Sequence, residues 1–548
     1  IFDDFCYSVE DPDDDDVTWK TEIEKFNVVN VVAIMMIFLM TDRDGLKKSI
    51  SSRFKINAFT LKKDALEFAV DKLEPFDKDK RLYWINRFIQ GLRKEDFNGT
   101  VVDLDTLKNV AAAASTSRNE NIPLLNIFDV TAVPRWDIAP DGELIVHQER
   151  KENGLEVVSA TAALRQRLMM VHGRISRTSE LEGCTISPID SLITAAPSEG
   201  TIIVVGMLVN IKNDQYHIED LTGCIPIEIT DHTTFHAGIF HIGSVMIFEG
   251  EWDGRVLIVS AIALLPSHSV EETRAYLGNI NIFGGTERIA FRSCPKLANR
   301  AARVNDSSIV ILSDVNVDKH DTRRALYLLL EGFASYPPTA FIFCGDFSSR
   351  PLQFDSNQQV EEGFIQLAKM IKQFSCAYSN TQFVFVPGMN DGGLTQILPR
   401  PPFPPNLQKP FHSIKNCTFT SNPARIQLLN QEIVVYRNDT VERLCKNAIH
   451  VPQNLDTLAN DVARSITSNA HLSPLPPSIQ PVVWSLDSTL RLHPLPDLLI
   501  MADRYESYHV EQKGCIISNP GPFGRLQYHF QVYFADKRKI DPSSLILD

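Results

Sequence analysis

The chain has 548 residues, of which 44% are hydrophobic and 22% charged, with a formal net charge of −14. One hydrophobic core rarely grows beyond about 250–300 residues, so this length implies two to four domains. The acidity excludes a protein that grips phosphate backbones with most of its surface, and points instead to protein partners.

Residues 1–44 carry an acidic run, Asp11–Asp16, followed by the apolar run Phe26–Met40. That run is shorter than the about 20 residues of a membrane helix. Its flank is acidic where a signal peptide is basic. It therefore reads as a buried element of a soluble chain, with no membrane partner. The chain opens on Ile1 rather than Met, which leaves the natural start open.

From Leu46 to about Ala114 the spacing is helical. Leu66, Phe68, Ala69 and Leu73 recur near a 3.6-residue period, with Thr60 as the expected N-cap. Leu82, Ile85, Phe88, Ile89 and Leu92 mark another amphipathic helix. A small helical domain is expected over 45–118, ended by the polar stretch Ser115–Asn121. Residues 119–163 lack periodicity and read as a connector packed against a later domain.

From Leu164 to Pro266 the signal turns to strands: LMMVHGRIS, GTIIVVGMLVNI, QYHIEDLTGCIPIEI, GSVMIFEGEW and RVLIVSAIALL. Short strands separated by Gly, Asp and Asn turns fit an OB-type barrel, expected over 164–275. Single-strand binding by such a barrel needs aromatics and cations along a groove. This stretch offers Arg174, Arg177, Lys212 and Arg255 with few aromatics, so a structural barrel is expected and DNA binding is its alternative.

Beyond Asn279 strands and helices alternate, the mark of an α/β domain over 276–548. SSIVILSD, TAFIFCGD, QFVFVPG, QEIVVYR, IQPVVWS and DLLIMAD read as strands, and RRALYLLLEGF as a helix. QQVEEGFIQLAKMIKQFS is a second helix, with Val360, Phe364, Leu367, Ile371 and Phe374 on one face. The proline-dense stretch Ile397–Phe411 is a rigid surface loop or a recognition segment. The nine cysteines are scattered and form no C-x-x-C, which implies a reduced compartment without disulfides or a zinc knuckle.

Three strands run into an aspartate at the carboxyl edge, where α/β sheets hold their sites: Asp314, Asp346 and Asp391. The order resembles the calcineurin-like metallophosphoesterases, whose signatures are D-x-H, G-D-x-x-D-R, G-N-H-[DE] and a late G-H-x-H. In such a site carboxylates and imidazoles hold two ions about 3.5–4 Å apart. Here D-x-H reads Asp314-Val315-Asn316, and the second aspartate of G-D-x-x-D-R is Ser349. G-N-H-D reads Gly388-Met389-Asn390-Asp391, and the late motif falls at Ala502-Asp503-Arg504-Tyr505 without either histidine. Neither catalysis, a metal nor a cofactor is expected. As isolated residues, Asp314 and Asp346 read as helix caps or turn formers, and Gly388 as a tight turn. His320, His412, His493 and His509 lack partners at ligand spacing and read as surface or satisfied polar groups.

An OB barrel before a degenerate calcineurin-like α/β sandwich resembles the B subunits of eukaryotic replicative DNA polymerases. The strings DVNVDK, CGDFSS, VPGMNDGG, ILPRPPFP, TSNPARI, QEIVVYRND and HPLPDLLIMADRYESY are similar to that family, and to its epsilon branch in particular. SRFKINAFTLKKDALEFAVDKL is similar to that branch's helical, AAA+-lid-like N-terminal domain. The resemblance implies a multidomain α+β and α/β chain: a nuclear, non-catalytic scaffold that clasps the zinc-bearing C-terminal region of the catalytic subunit. It further implies links to the small histone-fold accessory subunits and the replicative helicase, with DNA contact weak or indirect. The alternatives are the alpha or delta branch and a residual metal-dependent phosphodiesterase.

Overall fold

A computed structural model describes residues 43–74, 81, 84–85, 88–89, 92, 100–116, 124–139, 143–147, 158–198, 200–212, 215–302, 304, 307–350, 354–392, 396–524 and 527–546. The apolar run Phe26–Met40 lies outside them. No helix among the described residues is long and apolar enough to cross a membrane. The chain divides into two compact units, Ile1–Ile122 and Pro123–Asp548.

In the first unit, helices at 43–56, Lys63–Leu73 and Leu104–Thr116 surround a parallel pair of two-residue strands, Thr60–Leu61 and Val101–Val102. Leu46, Ile50 and Phe54 recur every fourth residue and bury one helix face against Ala69, Val70, Leu73 and Leu107. Lys62, not Thr60, stands at the N-cap of the second helix, because Thr60 is used by the strand pair. Leu66 and Phe68 are only partly buried, and Ala65 and Val70 take the inner positions.

Within the second unit, five strands close a barrel in the order Val245–Trp252, Leu257–Leu264, Cys224–Phe235, Gln215–Glu219 and Ile202–Lys212. Alternate residues such as Val204, Leu208, Ile218, Phe248 and Val259 fill it. Register slips at Gly250, where a Cβ would strike the Ile258 carbonyl, so the bulge requires glycine. LMMVHGRIS is not a strand. It belongs to the helix Ala160–Ile175, capped by Ser159, whose Oγ accepts the Ala162 N–H. Its apolar run satisfies either period, and the cap upstream decides for the helix. Arg174 on that helix is buried and donates to the carbonyls of Ser468 and Pro266, so it is no groove cation.

In addition to the short strand pairs Arg135–Ile138/Leu144–His147 and Phe240–His241/Ala448–His450, two six-stranded sheets form a sandwich beside the barrel. The first runs Cys417–Phe419, Gln382–Val386, Ala340–Cys344, Ser308–Leu312, Phe530–Phe534 and Lys539–Ser543, with its first four strands parallel. The second runs Tyr508–Gln512, Cys515–Asn519, Leu498–Ala502, Gln431–Arg437, Ala424–Leu428 and Leu125–Phe128. Ile309, Ile311, Ile342 and Val384 of the first sheet meet Ile426, Ile433, Val435 and Ile500 of the second in one core. The first sheet's other face is covered by helices His320–Phe333 and Phe354–Gln373 through Leu326, Leu330, Phe364 and Ile371. Strands buried on both faces explain their unbroken apolar runs.

Leu125–Phe128 pairs antiparallel with Ala424–Leu428, which makes part of the connector a sheet edge. IQPVVWS is not a strand; Val482 makes an isolated bridge to Leu398, and Trp484–Leu490 forms a 3-10 helix. The proline-dense stretch is not merely a surface loop, since Leu398, Phe403, Leu407 and Phe411 are buried in it.

Candidate functional site

Five strand ends meet at one edge of the sandwich. Asp314 follows Ser308–Leu312, Asp346 follows Ala340–Cys344, and Asp391 lies beyond Gln382–Val386. From the facing sheet come Arg437, the last residue of its strand, and Arg504, just after Leu498–Ala502. The first sheet therefore supplies three of the carboxylates, and the facing sheet supplies both guanidinium groups together with Asp439.

Arg437 Nη2 lies 2.9 Å from Asp314 Oδ1 and 3.6 Å from Asp346 Oδ2, while its Nη1 lies 2.8 Å from Asp439 Oδ1. Its Nε donates to the Gly345 carbonyl. Arg504 reaches the same acids from outside, with Nη2 2.6 Å from Asp346 Oδ2, Nε 3.4 Å from Asp314 Oδ1 and Nη1 3.7 Å from Asp439 Oδ2. The Arg437 side chain is 1% exposed and that of Arg504 is 47% exposed. Deeper in, Arg400 donates to the carbonyls of Gly388, Asp391 and Gly392.

Burial alone would raise every carboxyl here. Against burial, Arg437, the Asn390 amide and Arg504 hold Asp346 below its ordinary value. Asp314 stays raised, because desolvation outweighs Arg437 and the Asp346 charge adds to it. Asp391 rises to about 7 through burial and then through Asp346. Burial works to lower Arg437, but the three surrounding aspartates lift it well above the usual range.

The remaining motif positions serve the scaffold. Asn316 Nδ2 donates to the Asp346 carbonyl at 3.0 Å, and Ser349 Oγ turns to Asp318 at 2.6 Å. Asn390 gives its backbone and side-chain N–H to Asp346 at 3.1 and 2.8 Å. Asp391 accepts the N–H groups of Phe347 and Gly388, both at 2.7 Å. Asp503 accepts from Val441 and Tyr505 N–H, both at 2.9 Å, tying the helix Thr440–Lys446 to the sheet. The Tyr505 ring faces Tyr508 at 6.4 Å and does not line the cleft. The cleft, of about 360 Å³, is bounded by Asp314, Asn316, Ser349, Asn390 and Arg504, with Lys319 and Arg350 at its rim.

Asp314 turns the backbone, with its carbonyl accepting the Asn316 N–H at 2.9 Å, and its carboxylate joins that of Asp346 in a buried ion cluster. Gly388 is required by close approach, since a Cβ there would collide with the Asp346 carboxylate and backbone. His493 is buried against the Tyr276 hydroxyl at 2.7 Å, whereas His320, His412 and His509 are exposed.

These residues do not fit a two-metal centre. Among the described residues no three His, Cys, Asp or Glu side chains are disposed to hold a metal ion. The positive charge that the carboxylates need is instead supplied by two guanidinium groups. Neither arginine occupies a ligand position of the phosphoesterase motifs, so the motifs pass over both. A signal existed: Arg437 directly follows the apolar run Ile433–Tyr436 at the edge where sheet sites form, and a buried arginine demands partners.

A family model of the B subunits of DNA polymerases alpha and epsilon matches residues 309–510. A DNA polymerase epsilon subunit 2-like OB-fold model matches 157–266, and a DNA polymerases epsilon N terminal model matches 42–112. The probable DNA polymerase epsilon subunit 2 of Caenorhabditis elegans is 36% identical over 509 residues, covering 92% of this chain and 95% of its own. DNA polymerase epsilon subunit 2 of Homo sapiens is 29% identical over 522 residues, covering 92% and 99%. A solved archaeal phosphodiesterase overlaps 43% of this chain and 99% of its own at 16% identity, with a TM-score of 0.25 that carries no argument.

Proposed function

The chain belongs to the family of DNA polymerase epsilon second subunits, and on that premise we propose that it is the scaffold of the holoenzyme, working in the nucleus. Its place as a non-catalytic second subunit in replication follows from the family. The finer reading is that the barrel and sandwich together clasp the C-terminal, zinc-bearing region of the catalytic subunit. Through it they join the small accessory subunits and the replicative helicase.

The observation that carries the non-catalytic part is the pair Arg437 and Arg504 seated on Asp314 and Asp346. We read Asp314, Asn316, Asp346, Ser349, Asn390, Asp391, Asp503 and Tyr505 as former site positions turned to structural contacts, with Asp314 and Asp346 joining the two sheets through Arg437 and Arg504. A scaffold also needs a rigid joint between its domains. Here the helix Leu458–Asn469 meets the barrel through Ser465 Oγ, which accepts the Ile239 N–H at 2.9 Å, and Asn469 Oδ1, which accepts the Val245 N–H at 2.9 Å.

Affinity purification from nuclear extract, with mass spectrometry after a high-salt wash, tests the reading. An equal amount of the epsilon catalytic subunit is expected. A chain that emerges alone removes the scaffold reading. A copurifying alpha or delta catalytic subunit would keep the scaffold role and contradict the epsilon-specific partner.

A further inference from the structure

The first helix and the turn after it form a locally basic stretch of this acidic chain. Between residues 43 and 63 stand seven cations, Arg43, Lys47, Lys48, Arg53, Lys55, Lys62 and Lys63, against the single carboxylate Asp44. Arg43 is taken by Asp71 and Glu74, and Lys62 lies near Asp103. Lys47, Lys48 and Lys55 form no ion pair with a carboxylate among the described residues.

Helical spacing puts these three lysines together. Positions 47, 48, 51, 52 and 55 share one face, opposite the buried Leu46, Ile50 and Phe54. Lys47 and Lys55 are about 12 Å apart along the axis at 1.5 Å per residue. With Ser51, Ser52, Leu66 and the exposed Ile56 they border an open concavity of about 570 Å³, and among the described residues no carboxylate lines it.

We infer that this face binds the phosphate backbone of DNA without reading its sequence. Long flexible ammonium groups and serine hydroxyls are the contacts that position a protein on phosphates. Among the described residues, none of the arginine, asparagine or glutamine side chains that read base edges lines the concavity, nor does an aromatic on which bases stack. An acidic polypeptide is the rival occupant. A row of lysines presents point charges that follow a regularly charged polymer, whereas paired carboxylates favour arginine forks. The inference goes beyond the scaffold reading and does not depend on it.

The test is fluorescence anisotropy of the full chain with labelled 30-base duplex and single-stranded DNA, and with labelled polyglutamate, from 50 to 200 mM salt. The proteins compared are the native chain, Lys47→Glu/Lys48→Glu/Lys55→Glu and the milder Lys47→Gln/Lys48→Gln/Lys55→Gln. All three positions lie on the face away from the core, and circular dichroism checks that each variant is folded. The native chain is expected to bind duplex, and the charge-reversed variant to bind at least about tenfold more weakly at 50 mM salt. Its log–log salt slope should be shallower by about 2.7, near 0.9 per lost phosphate contact, with the glutamine variant close behind. Equal affinities in all three proteins, or no DNA binding by the native chain, would overturn the inference. So would a loss confined to polyglutamate, which would assign the face to an acidic polypeptide.

Discussion

Two of the buried ion clusters in the second unit use the same chemistry to different ends. At the strand ends, Asp314, Asp346 and Asp439 share Arg437 and the half-exposed Arg504. Elsewhere a single Asp487, 2% exposed, accepts from Arg167 Nη2 at 2.6 Å and lies 3.4 Å from Arg491 Nε. Arg491 continues to the Trp136 carbonyl at 2.7 Å, and its guanidinium lies 4.9 Å from the Trp136 ring centre. The Asp487 cluster staples helix Ala160–Ile175 and the strand Arg135–Ile138 to a late 3-10 helix, and solvent scarcely reaches it. The strand-end cluster borders a cleft, with one of its two cations at the surface. Burial therefore separates a closed staple from a half-open one, and the two should respond differently when a charge is removed.

The largest effect is expected for Asp487→Ala, which strands the buried Arg167 guanidinium and leaves Arg491 with Asp137 alone, and should lower stability by about 3–5 kcal/mol in urea unfolding. A loss below about 1 kcal/mol would mean that the staple is idle. Arg437→Met should come next, at about 3 kcal/mol, because it leaves three aspartates facing one partly solvated arginine. Arg504→Ala should cost about 1 kcal/mol or less, since water replaces much of what a half-exposed ion pair supplies. If Arg504→Ala proved as damaging as Arg437→Met, the strand-end cluster would be a second closed staple and the contrast would fail.

A titration sharpens the comparison further. Burial raises Asp503 from 3.8 to about 6. The folded chain therefore holds a proton that the unfolded chain has released between those values, and the stability from this group falls as pH rises through that window. Asp346, held below its ordinary value, acts oppositely, with stability lost only as pH falls into the acid range. Asp503→Asn should flatten the decline in melting temperature between pH 4 and pH 6. An unchanged slope would remove Asp503 as its source. The smallest expected effect is none: excess EDTA should leave the melting temperature unmoved, because guanidinium groups cannot be chelated. A drop of several degrees would mean that a metal contributes to the fold after all.

Much of the site was legible in the sequence for a local reason. Asp314, Asp346 and Asp391 each sit just past an apolar strand, and the lost imidazoles at Asn316 and Asn390 are visible as residue types in short motifs. Their chemical fate was not legible. Whether Asn390 ligates, caps or donates to Asp346 depends on a neighbour 44 positions away. The helix over LMMVHGRIS and the non-strand at IQPVVWS show the same limit, because short apolar runs satisfy either period and their surroundings decide.

What the sequence determined by itself was the alternation of buried and exposed positions, hence the helices, the barrel strands and the doubly buried sheet strands, and the absence of the ligand imidazoles. Only the tertiary structure decided that Arg437 and Arg504, borne by the facing sheet, close on Asp314 and Asp346. The pairing of Asp314 with Arg437 spans 123 positions and crosses between two sheets. Hydrophobic periodicity encodes which face of a strand is buried, but not which charge will be met at its end, and that was settled when the two sheets packed together.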